Sequence, residues 1–477
     1  MIESIISLSQ GGNTYLYNTG TRYLFLLHPS LKKVLDRKEE EIDPYYLKKY
    51  EYLKKYVLEC ADSIEFEASI NESVVREGII QSQQVAFETT DFCNLRCTYC
   101  SLGDLYTFNK PGKKDMDVDK ALRFLRYMFD LKAENSTLSI SFFGGEPLMN
   151  FDFIRIIVEE AKILNKTKNL SLSFNMTTNA TLLHKHMDFL VENSVRLLIS
   201  LDGDEVAQGY RVMKNGEPSF QRVISNLDQL LEKYPVYFED CISFNSVLHD
   251  RNSVREIYEF IYGRYHKVPM ISPLNTGFVN PEKKDCLKGM LHSKVKSEGE
   301  FLDSNSDLLP VTHKALGINT EVFKFLRNYS VNSYYSNVLS LLYDKVKTVP
   351  TGTCPPFRRK LFLNTQCQLL PCEKVSHNHF LGTVDDDAVT VDIQRISEKY
   401  NAYYKHIVEQ CSKCYVAKAC PVCLLAQEHI DRLESKDFVC PAFVDADAFK
   451  LNLSRYLSFM ERYPEDLVEM VENSFIA

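Results

Sequence analysis

Three cysteines, Cys93, Cys97 and Cys100, stand directly after a short apolar run that ends at Phe87. Thiolates this close can share one metal centre, whereas closed zinc and iron–sulfur sites take four protein ligands. The next cysteine, Cys241, lies far downstream without ligand-like neighbours. The spacing therefore predicts a centre with one coordination position left open, with half of a zinc ribbon as the plainer alternative. Of the 14 cysteines, eight more fall late in the chain: Cys354, Cys367, Cys372, Cys411, Cys414, Cys420, Cys423 and Cys440. Clustering of this kind argues for metal or redox chemistry over packing or disulfides, with zinc as the rival to iron. Cys60, Cys241 and Cys286 stand alone and read as structural residues.

The elements that must position these groups follow from the hydrophobic pattern. From residue 85 strands alternate with helices: strands at 85–88, 138–143, 170–175, 196–201, 241–247 and near 269–273, helices at 117–132, 151–165, 181–192, 219–233 and 253–264. This alternation predicts an α/β parallel sheet with crossover helices. Polar signatures follow the carboxyl ends of successive strands, where barrel enzymes build active sites. They are Gly144-Gly145-Glu146-Pro147, Thr178-Asn179, Ser200-Leu-Asp202-Gly203 and Asn245, with Arg211 shortly after the fourth strand. Six such units predict a partial (β/α)6 TIM-type barrel over 81–275.

Before the barrel, strands at 14–17 and 23–27, helices at 28–35 and 43–58 and a strand at 63–67 predict a winged-helix-like α+β module over 1–80. After it, 276–350 reads as a connector or lid, with Lys- and Ser-rich turns at 282–306 leaving the barrel and a helical stretch at 321–346 that includes Tyr334 and Tyr335. A cysteine-rich domain over 351–445 and an amphipathic helical segment over 446–477, packing back on the barrel, complete the expected organisation. With 477 residues and 25% charged composition the chain reads as a globular multidomain protein. A net charge of -8 gives no footprint for nucleic acid, basic clusters such as 110–114 aside. No apolar run approaches a membrane span and the start lacks a signal peptide, so a cytoplasmic location without a membrane partner is expected.

In register with the cysteine triplet, these signatures resemble the radical S-adenosylmethionine (radical SAM) family. The resemblance implies a 4Fe-4S cluster on Cys93, Cys97 and Cys100 whose open iron binds the amine and carboxylate of S-adenosylmethionine. Phe92 and Tyr99 match the family's aromatic positions, and Gly144, Gly145 and Glu146 match the segment that binds the methionyl amine. Thr178, Asn179, Ser200, Asp202 and Asn245 would be further cofactor contacts, and Arg211 would pair with the cofactor carboxylate. The late cysteines resemble a SPASM domain. By that resemblance Cys411, Cys414, Cys420 and Cys440 close one auxiliary 4Fe-4S cluster, and Cys354, Cys372 and Cys423 hold another, making three clusters.

Two departures stand out: two residues follow Cys420 where the family usually has three, and Cys367 occupies a position that is usually glycine. Cys367 is then either the missing fourth ligand or packing beside an open iron. The family's chemistry implies a 5'-deoxyadenosyl radical that modifies a ribosomally made precursor peptide, with a thioether or other side-chain cross-link as product. The leader of that peptide would add a strand to the N-terminal module, and a low-potential donor such as flavodoxin or ferredoxin would supply electrons. One alternative is a sulfatase-type maturase that forms formylglycine, with Glu373, next to Cys372, as base. Another is a non-catalytic peptide-binding iron–sulfur scaffold.

Overall fold

A computed structural model describes residues 4–36, 43–58, 66, 69–107, 113–304, 316–329, 349–417, 420–428 and 439–473. The N-terminal module is a three-stranded antiparallel sheet of β1 (Ser4–Leu8), β2 (Thr14–Asn18) and β3 (Leu24–Leu26), ordered β1-β2-β3. β1 is an addition to the expected hairpin. The β2–β3 turn closes on Asn18, whose Oδ1 accepts from the N–H groups of Gly20 and Thr21 at 3.0 and 2.8 Å. Two helices follow, α1 (Pro29–Leu35) and α2 (Pro44–Leu53), each with proline in its first turn and a side-chain cap from His28 and Asp43. The expected strand at 63–67 lies outside the described residues except for Phe66, as does Cys60. α3 (Glu72–Ile80), capped by Asn71, leads into the barrel.

The six expected parallel strands form in sequence order. They are β4 (Gln84–Glu88), β6 (Thr137–Phe143), β7 (Ser171–Thr178), β8 (Arg196–Ser200), β10 (Ile242–Leu248) and β11 (Met270–Pro273). Their crossover helices are α4 (Val118–Leu131), α5 (Phe151–Lys168), α6 (Met187–Glu192), α7 (Phe220–Lys233) with α8 (Pro235–Cys241), and α9 (Val254–Tyr265). Strand alternation sorts the side chains. Val85, Phe87, Ile140, Phe142, Met176, Ile199 and Phe244 are buried on the helix side, in one core with Phe124, Ile157, Leu227 and Ile257 of the helices. The opposite face is polar: Gln84 pairs with Ser141, and Asn175 donates to Ser139 Oγ at 2.6 Å. A closed barrel fills this side with branched apolar residues; here it is left as a polar wall.

A short antiparallel ladder, β5 (Leu95–Cys97) with β9 (Arg211–Met213), lies apart from the main sheet and pairs Cys97 with Arg211. It follows from two segments too short and polar to show strand periodicity.

The stretch at 282–306 is not an excursion. It forms α10 (Lys284–Met290) and α11 (Lys294–Asp303), and α11 packs on α9 through Phe301 against Tyr258 and through Ser297 Oγ, which accepts from Val254 N at 2.9 Å. α12 (Gly317–Tyr329) covers the described part of the predicted helix; Tyr334 and Tyr335 lie outside the described residues.

The cysteine-rich region continues the barrel sheet. β12 (Lys360–Leu363) pairs parallel with the outer edge of β4, and β13 (Gln368–Leu370), β14 (Gly382–Val384) and β15 (Val389–Val391) extend it antiparallel to ten strands. α13 (Ile393–Lys413) then packs against α3, with Asn401 exchanging hydrogen bonds with the Ile70 backbone at 2.9 and 2.7 Å. The last helices are α14 (Ala446–Arg462) and α15 (Pro464–Asn473). α14 packs on β1 rather than on the barrel. Ser7 Oγ donates to Lys450 O at 3.3 Å, Gln10 N donates to Ser458 Oγ at 2.9 Å, and Phe449 sits against the Tyr17 and Tyr415 rings. The apolar stripe of α14 is real, but its partner is the N-terminal sheet, which has its own unburied face to cover.

Candidate cofactor site and cysteine centres

The loop after β4 carries Cys93, Cys97 and Cys100, and the glycine pair after β6 is what holds it. Gly145 N donates to Thr90 O and Glu146 N to Phe92 O, both at 2.8 Å. A Cβ on Gly144 would meet Thr90 O at 2.3 Å, and one on Gly145 would meet Phe92 O at 2.1 Å. Gly144 also has φ +138, which side-chain-bearing residues rarely adopt. These glycines are needed for close approach to the cysteine loop. The N–H groups of Gly145 and Glu146 are thus spent inside the protein.

Glu146 is fully buried, and its carboxylate accepts from Thr178 Oγ1 at 2.6 Å, Asn179 N at 2.8 Å and Leu148 N at 3.2 Å. Burial pushes its carboxyl up to about 7, against those three hydrogen bonds. Asn179 extends the network, donating to Asn94 Oδ1 at 2.9 Å and to Cys93 Sγ at 3.8 Å. Thr178 and Asn179 thus stand beside the cysteine loop, and Asn94 joins them.

Asp202 and Arg211 meet each other. Arg211 Nε and Nη2 donate to Asp202 Oδ2 and Oδ1 at 2.9 and 3.0 Å. The same carboxylate accepts from the Tyr99 hydroxyl and from Val247 N, and His249 Nε2 stands 3.7 Å from it. Burial alone would raise the Asp202 carboxyl, but the Arg211 charge and these donors hold it at about 2. Asp202 is thus saturated by protein donors, and two of Arg211's donors are committed to it. Arg211 lies over the Tyr99 ring at 5.3 Å, and its charge acts on the Cys97 thiol. His249 was missed from the sequence although it follows a strand end, as the other signatures do. Ser200 and Asn245 are register partners on the polar wall, where Asn245 Oδ1 accepts from Ser272 Oγ at 2.9 Å.

Within the triplet, Cys97 and Cys100 both act on Cys93, and Cys100 acts on Cys97. Among the late cysteines, Cys414, Cys420 and Cys440 all act on Cys411, and Cys354 acts on Cys423. Among the described residues no three side chains already stand in metal-ligand geometry. The local backbone nevertheless fits iron–sulfur thiolates, whose sulfurs are tuned by N–H donors. Three candidate ligands receive a hydrogen bond from the N–H two residues ahead: Cys93, Cys372 and Cys420. Burial pushes the Cys93 and Cys411 thiols up to about 12. Metal loading at neutral pH must therefore release their protons.

Cys367 stands apart. It occupies the β12–β13 turn with φ +60, and the groups acting on its thiol are Lys120, Asp117, Lys114 and Asp385. A left-handed residue other than glycine costs about 1–2 kcal/mol, which accounts for glycine being usual here. Cys367→Gly should leave the iron content unchanged and stabilise the fold by about 1 kcal/mol or less, read as a small rise in Tm. Loss of iron in that variant would return Cys367 to the ligand set.

Cys372 faces Glu373 and Lys360. Glu373 Oε2 lies 2.7 Å from Lys360 Nζ and 3.4 Å from Cys372 Sγ, and Lys360 reaches over the Phe143 ring at 4.7 Å. Burial would raise the Glu373 carboxyl, but Lys360 outweighs it and holds it below the usual range. The turn after β12 also clasps the first cysteine loop: Thr365 N donates to Glu88 Oε2 at 3.0 Å and Thr365 Oγ1 to Asp91 Oδ1 at 2.9 Å. No helix among the described residues is long and apolar enough to cross a membrane.

Residues 87–261 match the model of the Radical SAM superfamily. The chain is 28% identical over 178 residues to the radical SAM cyclopropyl synthase TigE of Paramaledivibacter caminithermalis, covering 35% of this chain and 36% of that protein. It is 29% identical over 192 residues to a cysteine-type anaerobic sulfatase-maturating enzyme of Clostridium novyi, covering 38% and 50%. An uncharacterised protein of Methanocaldococcus jannaschii is 29% identical over 206 residues, covering 43% and 65%. The matched stretch thus spans less than two thirds of each relative. In fold the chain is similar to native anSMEcpe with bound AdoMet and the Kp18Cys peptide: TM-score 0.50 and 19% identity, over 82% of this chain and 99% of that one.

Proposed function

We propose that this chain, whose residues 87–261 form a radical SAM domain, modifies a ribosomally made peptide, forming a thioether or other side-chain cross-link. The observation that carries the reading is the shared sheet. β12 and β13 extend the barrel, so Lys360, Cys372 and Glu373 stand beside the polar wall whose other end bears the cysteine loop. Cys93, Cys97 and Cys100 would hold the first 4Fe-4S cluster. Cys411, Cys414, Cys420 and Cys440 would hold a second, and Cys354, Cys372 and Cys423 a third. When bound, the first cluster and S-adenosylmethionine supply a 5'-deoxyadenosyl radical that abstracts hydrogen. Electrons would come from a flavodoxin or ferredoxin.

The protein's own part is positional. Glu146 and Asn179 fix the cysteine loop, and Asp202 orients Arg211 toward Cys97 and the space beside it. Ser200, Asn245 and Asn175 offer hydrogen bonds along the wall to an extended peptide. The cross-linking chemistry would join side-chain atoms that the wall holds in place. A second reading has one specific support: Glu373, kept ionised by Lys360, is suited to act as a base in formylglycine formation.

The test is anaerobic incubation of the reconstituted full chain with S-adenosylmethionine, dithionite and a cysteine-bearing peptide encoded beside it. Production of 5'-deoxyadenosine together with loss of a hydrogen pair and of an alkylatable thiol is the expected result. An aldehyde that captures hydrazine would select formylglycine instead. Absence of 5'-deoxyadenosine would leave only a scaffold. Removing the leader from the peptide should abolish turnover if the N-terminal module recognises it; unchanged turnover would dismiss that role.

A further inference from the structure

Among the cysteine-rich elements, two buried hydroxyls have no partner. Tyr400 and Tyr404, one turn apart on α13, are 1% and 5% exposed, and neither phenolic oxygen has a hydrogen-bond partner among the described residues. Their rings meet edge to face with centroids 6.3 Å apart. Both feel the charges of Cys354 and Cys423. Those two cysteines are drawn together by Leu424 N, which donates to Thr353 Oγ1 at 2.9 Å, so the residue after one is bound to the residue before the other.

An unsatisfied buried hydroxyl costs free energy that phenylalanine would not. Phenylalanine would fill the same space. Two such hydroxyls in the neighbourhood of one pair of thiols point to an acceptor that belongs there, and thiolate or sulfide sulfur is the acceptor the site chemistry provides.

We propose that Tyr400 and Tyr404 donate hydrogen bonds to the iron–sulfur cluster held by Cys354 and Cys423 and thereby raise its reduction potential. This rests on the reading of that pair as a cluster site. Both phenols act as donors and not as ligands, since a phenol keeps its O–H at neutral pH. A hydrogen bond to cluster sulfur stabilises the more negative, reduced state, so its removal shifts the midpoint potential downward.

The experiment uses the full chain in which Cys93, Cys97 and Cys100 are all alanine, so that only auxiliary clusters remain. Iron content is determined first; a protein that carries no cluster at Cys354 and Cys423 would overturn the cluster reading itself, and the proposal with it. With the cluster present, Tyr400→Phe and Tyr404→Phe should each retain iron and move one auxiliary midpoint potential, followed by electron paramagnetic resonance, to more negative values. Tyr258→Phe is the control: its hydroxyl is also buried and unpaired but lies on α9 in the barrel, and it should move neither potential. Unchanged potentials in both Tyr400 and Tyr404 variants would overturn the proposal. Should either variant lose iron, electron–nuclear double resonance of the parent protein reconstituted in D2O decides. An exchangeable proton coupled to the reduced cluster supports the hydrogen bonds, and its absence refutes them.

Discussion

Replacing Cys93, Cys97 and Cys100 together by alanine should abolish 5'-deoxyadenosine formation and remove one cluster of three, about four of twelve irons. Among the described residues the loop's polar neighbours offer no ready substitute ligand: Asn94, Asn179 and Arg211 are not anionic, and the nearby carboxylates of Glu146 and Asp202 are already taken up by protein donors. The change should be local. Loop position depends on the backbone bonds from Gly145 and Glu146, which the substitutions leave intact, so the auxiliary iron should remain. Iron analysis and chromatography of the nucleoside products check both statements. Retained cleavage of S-adenosylmethionine would end the radical reading, and loss of all iron would show that the three centres assemble as one.

The barrel was legible because its signals are periodic. Strands such as Leu138-Ser-Ile-Ser-Phe-Phe bury alternate residues under amphipathic helices, and period 2 switching to period 3.6 survives in a single sequence. The positions of the polar signatures were legible for the same reason, since each sits where a strand ends. Their partners were not. Nothing local tells that the Gly145 N–H turns to Thr90, a contact between segments far apart in sequence, or that Asp202 at the end of β8 is answered by Arg211 at the start of β9, close in sequence but joined through an irregular loop. The same holds for α14, whose apolar stripe predicts burial without saying against what. Cys367 is the opposite case. The glycine usual at its position is explained by a positive φ that no propensity scale for cysteine would suggest. The N–H to sulfur bond two residues past Cys93, Cys372 and Cys420 is a backbone property that spacing alone does not reveal.

Asp202→Asn is expected to cost the fold about 3–5 kcal/mol, because Arg211, its side chain 9% exposed, would be left as a buried charge without a counterion. Tyr99 and Val247 would compete for the one remaining acceptor oxygen, which adds to the loss. The pH dependence has a definite sign. The folded Asp202 carboxyl is held near 2, below the value of about 4 in an unfolded chain. Its contribution is therefore fully present above about 4 and is lost as pH falls toward 2, because only the unfolded state then takes up the proton. Urea unfolding of wild type and variant should show a constant gap between pH 8 and 5 that narrows in more acid solution. Arg211→Lys should reproduce part of the loss, since an ammonium cannot span both carboxylate oxygens as the guanidinium does. Full stability in Asp202→Asn with weakened binding of S-adenosylmethionine would reverse the assignment: Asp202 would then face the cofactor, and Arg211 would be held by something else.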